Sequence, residues 1–294
     1  MSILLIGEHG QVSRELQRCL SGMSDLVVRG SAQLDLSDTA QIREQVLALR
    51  PQLIINAAAY TAVDLAESEP EQAFAINAEA PGLLAELAAE LNAPLIHYST
   101  DYVFDGSLER PYRETDTPNP LNVYGRSKLA GEQAITRVGG AHLILRTSWV
   151  YANHGRNFLL TLQRLLQTRE QVSVVNDQIG APTWAGSIAQ ATTELIQQWL
   201  TGQPGSWGIH HLTAQGETSW FGFAEAIAAT LREAGLPCAR LLPISSAEYP
   251  TAAPRPLNSR LDCSQLQTDW GIRLPHWHQS MSACLRTSAG FPAG

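Results

Sequence analysis

The sequence predicts a doubly wound parallel α/β sheet with a smaller C-terminal α/β part. Three observations predict it. Short apolar runs alternate with longer amphipathic segments through the first half, the first run ends in a glycine turn, and the second half loses this regularity. Residues 3–6, 26–28, 53–55, 95–98 and 142–145 read as buried parallel strands, each too short for a helix. Between them, residues 11–20, 39–49, 71–91 and 123–135 read as helices. Ser37 or Asp38 is placed to cap the second, and Pro70 and Pro94 punctuate the third. Further on, 158–166, 187–200 and 223–234 read as helices, and 172–175 and 209–212 as strands. A proline-rich stretch from Pro243 to Pro256, a helix around 280–286 and a loose tail over 288–294 complete the chain. The expected division is a dinucleotide-binding domain over 1–150. Residues 151–294 are expected to be mainly substrate-binding, with some segments returning to the first domain.

Composition narrows the function. At 294 residues the chain is ample for a large core, and 28 acidic against 20 basic residues leave a net charge of −8. With no basic run, nucleic acid and anionic membrane are poor partners. Cys19, Cys238, Cys263 and Cys284 lack metal-ligand spacing, so the thiols are expected to be idle in a reducing compartment. The N-terminus has no basic region, and its apolar run is far too short for a signal peptide or a span. A cytoplasmic protein is expected. His210 and His211 are strand neighbours on opposite faces and cannot share a metal; His276 and His278 flank Trp277 and receive no role.

The first strand runs into Gly7-Glu8-His9-Gly10-Gln11-Val12-Ser13 and then a helix, the context a Rossmann-like dinucleotide fingerprint needs. Gly7 permits the tight turn, and Gly10 lets backbone approach a pyrophosphate resting on the helix N-terminus. Ser13 stands where the usual pattern has a third glycine, a packing position. A purely structural turn stays open. The second strand ends in Val28-Arg29-Gly30 rather than in an acid, which favours the 2′-phosphate of NADPH, with NADH still possible and a solvated arginine as the alternative.

Of the 20 cations only Lys128 is a lysine, four residues after Tyr124. On a helix, positions i and i+4 share a face. An ammonium can enter a proton relay where a guanidinium cannot, and a nearby cation helps a phenol act at neutral pH. A surface pair on an amphipathic helix fits these two residues equally well.

Longer segments carry a resemblance. These include Asn56-Ala57-Ala58-Ala59-Tyr60-Thr61-Ala62-Val63-Asp64, Tyr98-Ser99-Thr100-Asp101-Tyr102-Val103-Phe104, Asn122-Val123-Tyr124-Gly125 through Glu132, Arg146-Thr147-Ser148-Trp149-Val150-Tyr151, Asn176-Asp177-Gln178 through Thr183, and Arg255-Pro256 through Leu261. With Gly7 and Gly10 they span residues 3–261, and the chain resembles the extended short-chain dehydrogenase/reductases, within them the dTDP-4-dehydrorhamnose reductases. The resemblance implies reduction of the ketone of dTDP-4-dehydro-6-deoxy-L-mannose to dTDP-L-rhamnose by hydride from NADPH or NADH. It implies that Thr100 holds the carbonyl oxygen, that Tyr124 protonates it, and that Lys128 lowers the tyrosine pKa and binds the nicotinamide ribose. It places Asp101 and Trp149 on the substrate, Trp149 as a flat wall for the sugar. Gly10, Gln11, Val12, Asp35, Leu36, Ala59, Tyr60, Thr61 and Tyr98 are placed on the cofactor. Arg255 and Arg260 are then candidates for the substrate diphosphate.

Some members of this branch are dimers bridged by magnesium on glutamates. Glu15 matches one of these, but Gly186 and Ser288 stand where the other acids would be, which counts against the metal bridge. A monomer or a homodimer is expected. Tyr102 follows Thr-Asp where dehydratases carry an acid, which disfavours elimination. A related sugar-nucleotide reductase or epimerase, and a non-catalytic subunit like the methionine adenosyltransferase β subunit, are the alternatives. Retention of Thr100, Tyr124 and the sole lysine favours an enzyme.

Overall fold

The computed structural model describes residues 1–23 and 25–286, so Ser288 and the expected tail lie outside the described residues. Strand β1 (Ser2–Ile6), buried from Ile3 onward, leads through the glycine turn into α1 (Gln11–Leu20). Next come β2 (Asp25–Arg29) and α2 (Thr39–Leu49). Of the two candidate caps it is Asp38 whose side chain accepts from the Gln41 amide, at 3.0 Å. After β3 (Leu53–Asn56), the helix expected over 71–91 is broken into α3 (Val63–Ala66), α4 (Pro70–Phe74), a π-helical turn over Ala75–Glu79 and α5 (Ala80–Glu90). Proline explains the widened turn, because Pro81 has no N–H to offer the Asn77 carbonyl four residues back.

The chain continues through β4 (Leu95–Thr100), α6 (Val123–Val138), β5 (His142–Thr147), β6 (Val150–Tyr151) and α7 (Phe158–Thr168). Then follow β7 (Gln171–Val175), β8 (Ile179–Gly180), β9 (Thr183–Trp184), α8 (Ala185–Leu200), β10 (Gly208–His211) and β11 (Thr218–Ser219). Helix α9 (Trp220–Glu233), β12 (Arg240–Ile244), α10 (Ser264–Trp270) and α11 (Trp277–Arg286) complete it. Two of these were not legible. Pro243 lies inside β12, a strand paired only with β7, so its missing N–H costs no ladder bond on the other side. Helix α10 is too short for a clear period.

The main sheet has six strands in the order β10-β5-β4-β3-β1-β2, and every pairing is parallel. Strand order reverses between β1 and β3, which makes the carboxyl ends of those two strands the place for a ligand crevice. One face packs Ile3, Leu5, Ile55 and Leu145 against α1, α8 and α10; the other packs Leu4, Ile6, Ile54 and Ile144 against α2 and α5. A second core gathers α7, α9 and α11 around Phe223 and Trp277. The strand over 209–212 does not stay in the C-terminal part: β10 adds to the edge of β5. Its histidines are buried and tie it to the segment beyond, His210 Nε2 lying 3.1 Å from Asp269 and His211 Nδ1 3.2 Å from the Asp262 carbonyl. Among the described residues no helix is long and apolar enough to cross a membrane.

Candidate active site

At the end of β4, the Thr100 hydroxyl accepts from the Tyr102 amide and donates to Asp101 Oδ1, both at 3.2 Å. These bonds start a 3-10 turn over Asp101–Val103. Helix α6 begins opposite it. Asn122 caps the helix by accepting from the Gly125 amide at 2.8 Å and reaches the Pro254 carbonyl at 2.8 Å. Gly125 is what lets the two meet: a Cβ there would stand 2.2 Å from the Tyr102 carbonyl oxygen. The approach sets Tyr124 edge-on to Tyr102, with ring centres 5.5 Å apart, and turns its hydroxyl toward Thr100.

Burial pushes the Tyr124 phenol up to about 12, while the hydrogen bond with Thr100 pulls down and the charge of Asp101 adds to the rise. The net direction is opposite to the lowering expected from an adjacent cation. Lys128 directs its ammonium elsewhere: it is buried and donates to the Tyr98 carbonyl at 2.7 Å, with His97 Nε2 at 3.1 Å. Burial lowers the lysine to about 8, opposed by Glu132. Burial, and then the charge of Lys128, hold His97 well below the usual histidine value, so it is a neutral acceptor. Burial raises the Asp101 carboxyl to about 6, against the pull of the neighbouring Ser259, Thr100 and Ser148 hydroxyls, of which Thr100 donates to Oδ1.

Below this layer lies a pair that the sequence reading gave no role. Arg146 on β5 grips Glu132 on α6 in a bidentate bridge of 2.9 and 2.6 Å, both side chains 2% exposed. Ser99 donates to the same carboxylate at 2.5 Å. The bridge fixes the rotation of α6 and hence the direction of Tyr124 and Lys128.

The cofactor end has the geometry a dinucleotide needs. Gly7 has φ +104°, and a Cβ on it would meet the Ala57 and Ala58 backbone at 3.1 Å. Gly10 begins α1 with no side-chain cap, and the first turn holds no acid, so its N–H groups stay available to a pyrophosphate. The loop holding Ala59, Tyr60 and Thr61 is fixed by Asn77 of the π-helical turn, which bonds the Tyr60 amide at 2.9 Å and its carbonyl at 3.0 Å. The remaining candidates scatter. Gln11 joins the C-terminal part through Asn157 at 2.8 Å, Val12 and Leu36 pack into the two faces of the core, and Asp35 accepts from Ser37. The Tyr98 hydroxyl turns to Thr192 at 2.7 Å, leaving its backbone carbonyl on the lysine side. Arg29 at the end of β2 donates to the Val28 carbonyl.

On the substrate side a cavity of about 410 Å³ is lined by Tyr102, Phe158, Gln178, Trp220, Tyr249 and Arg255. Arg255 crosses its rim to Asp64 in a bidentate bridge of 3.1 and 2.8 Å. Arg260 does not join it. Its guanidinium is bound to Glu217 and Asn258, and it lines a different cavity of about 500 Å³ with Cys263 and Arg273. Trp149, at φ +48°, is stacked on Trp220 with ring centres 3.6 Å apart, and Gly180 lies so close that a Cβ would stand 2.6 Å from the indole. The flat wall expected of Trp149 is therefore covered by a second tryptophan. Trp220 and Gln178, bonded at 3.2 Å, supply the cavity surface instead. No local pattern marks Trp220, whereas Gln178 sits inside a segment that carries the resemblance.

Glu15, the one acid expected of a metal bridge that the sequence has, is engaged within the chain. Arg18 takes one carboxylate oxygen at 2.8 Å and His154 stands 3.2 Å from the other, while Gly186 on α8 offers no ligand. Among the described residues no group of His, Cys, Asp and Glu gathers to hold an ion.

A parallel sheet with a glycine turn at its first βα junction, and with a tyrosine–lysine helix beside the end of β4, has the architecture of the short-chain dehydrogenase/reductases. Within that class the chain belongs to the RmlD substrate binding domain family, whose model matches residues 1–289. It is 45% identical over 291 residues to a dTDP-4-dehydrorhamnose reductase of Escherichia coli (strain K12), covering 97% of each chain. It is 43% identical over 293 residues to one of Burkholderia thailandensis, covering 97% of this chain and 98% of that one. A Bacillus anthracis dTDP-4-dehydrorhamnose reductase solved in complex with NADP superposes with a TM-score of 0.91 at 34% identity, over 98% of this chain and 99% of the other.

Proposed function

We propose that this chain reduces the ketone of dTDP-4-dehydro-6-deoxy-L-mannose to give dTDP-L-rhamnose, the last step of dTDP-rhamnose synthesis, using NADPH with NADH as an alternative donor. The reaction belongs in the cytoplasm, and the chain works as a monomer or a homodimer. The observation that carries the reading is the Thr100–Tyr124 hydroxyl pair at the end of β4, with Lys128 buried behind it. When bound, the nicotinamide supplies hydride to the carbonyl carbon. Gly7, Gly10 and the free N–H groups of α1 hold its pyrophosphate, and Lys128 is placed for the ribose next to the ring. Thr100 donates to the carbonyl oxygen and orients it. As negative charge develops there, Tyr124 gives up its proton; a phenol near 12 stays protonated at any working pH, yet is a stronger acid than the alcohol it forms. Arg255, at the rim of the apolar cavity, exchanges Asp64 for the diphosphate, and the Trp220 wall receives the base.

The test follows nicotinamide absorbance after addition of the 4-ketosugar nucleotide, with NADPH and NADH in separate runs. Consumption of one equivalent with a single rhamnose-nucleotide product supports the reading. Binding of cofactor without consumption would sink it.

A further inference from the structure

We infer that Glu8, inside the glycine turn, is the acid that sets cofactor choice and opposes the 2′-phosphate that Arg29 attracts. The inference rests on the nicotinamide-reductase reading above. In doubly wound dinucleotide sites an acid at the end of the second strand accepts the adenosine ribose hydroxyls, and a cation there takes a 2′-phosphate. Here β2 ends in Arg29, followed by Gly30, and offers no acid of its own.

The carboxylate arrives from the neighbouring turn. A Cβ on Gly30 would stand 2.6 Å from Glu8 Oε2 and 3.1 Å from Glu8 Cβ, so Glu8 lies directly over the end of β2 in the space a side chain would fill. The placement is fixed by backbone. Ile6 pairs with Arg29 in register, the Gly7 amide donates to the Arg29 carbonyl at 2.8 Å, and Gln17 donates to the Glu8 carbonyl at 2.8 Å. The Glu8 side chain keeps 43% of its surface exposed, and His9 Nε2 stands 3.6 Å from its carboxylate. Arg29 is not paired with it, since its guanidinium donates to the Val28 carbonyl at 3.1 Å.

Two opposite charges thus flank one ribose edge. A carboxylate accepts the 2′- and 3′-hydroxyls of NADH and repels a 2′-phosphate; a guanidinium does the reverse. Glu8 narrows the preference for NADPH that Arg29 alone would give and keeps NADH as an alternative donor.

Calorimetric binding of NADP⁺ and NAD⁺ to the purified chain tests this without turnover. In Glu8→Gln, nearly isosteric at a half-exposed position, NADP⁺ affinity should rise relative to NAD⁺ by about tenfold, the size of one partly screened charge. Glu8→Ala should shift the ratio the same way, and Arg29→Gln the opposite way. Because the ratio is taken within each variant, general loss of stability cancels. Both nucleotides binding with an unchanged ratio in both Glu8 variants overturns the inference alone. Failure of the unaltered chain to bind either nucleotide overturns the reductase reading, and this inference with it.

Discussion

Tyr124 is suited to donate a proton because it is desolvated, lies beside Thr100 and has no cation directed at it that would strip it early. Lys128 is the less replaceable partner. Its buried ammonium is a compact point charge held between a histidine nitrogen and a carbonyl, a role that a larger, planar guanidinium does not reproduce. Lys128→Arg is expected to lower kcat ~100-fold through misplacement of the nicotinamide ribose, with the folded state retained; near-normal turnover in that variant would refute the role assigned to it. Asp101 makes a prediction about stability. Its folded pKa of about 6 lies above the ordinary 3.8, so the folded state binds more protons between those values, and stability falls as pH rises through that window. Asp101→Asn removes the penalty. The variant should gain on the order of 2 kcal/mol over the unaltered chain at pH 7, and the gain should vanish near pH 4. Denaturant titrations at the two pH values measure it, and an equal difference at both would count against a strained carboxylate. At this scale the placement of Tyr124 and Lys128 on one helix was legible, because spacing is local, whereas the direction of the ammonium toward His97 and the Tyr98 carbonyl was not. Trp220 and the Glu132–Arg146 bridge were not, because nothing in a sequence period says which indole covers which, or which charges go dry.

Elements meet here through residues too small to obstruct. Gly125 lets the start of α6 touch the 3-10 turn after β4, and Gly131 lets the same helix pass the π-helical turn, where a Cβ would stand 2.1 Å from the Asn77 carbonyl oxygen. Both obstacles are backbone and cannot rotate aside. Gly125→Ala should therefore cost about 1–3 kcal/mol of stability, as overpacking does. It should also lower kcat more than cofactor affinity, because Tyr124 is displaced with the turn. Unfolding midpoints and steady-state kinetics on the variant check both, and intact kcat would show that the close approach is not what places the phenol. The strands of the first half were legible since each is a short apolar run between breakers. The single helix expected over 71–91 was not what folded. Its period is helical throughout, and the interruption depends on Pro81 withholding one N–H while Asn77 is used by the Tyr60 loop and by Ser127. Strand β12 was hidden for a related reason: a proline argues against a strand until one knows that the strand has a single neighbour.

For the whole molecule, the strand order puts the crevice between β1 and β3, and the C-terminal part closes toward it through long-range contacts. Asp64 meets Arg255 and Asn122 meets Pro254, so the 253–255 segment is strapped to the sheet side of the cavity. The two arginines named from sequence separate on this scale. Arg255→Ala should raise KM for the nucleotide sugar about tenfold, as loss of one charge-assisted contact does, while leaving nicotinamide affinity unchanged. Arg260 faces the other cavity with Glu217, and its removal should act on stability before KM. Equal KM effects from the two variants would contradict this placement. Which loops converge on a site is a property of topology, and a linear reading could name both arginines but not tell them apart.

The central claim is that Tyr124 delivers the proton during hydride transfer. Single-turnover oxidation of bound NADPH by the 4-ketosugar nucleotide, in the unaltered chain and in Tyr124→Phe, tests it most directly when cofactor affinity is measured alongside. The account predicts a hydride-transfer rate ~10²–10⁴-fold lower in the phenylalanine variant, the usual worth of a general acid, at essentially unchanged cofactor affinity. A variant that transfers hydride at the original rate would contradict it and move the proton donor elsewhere in the site.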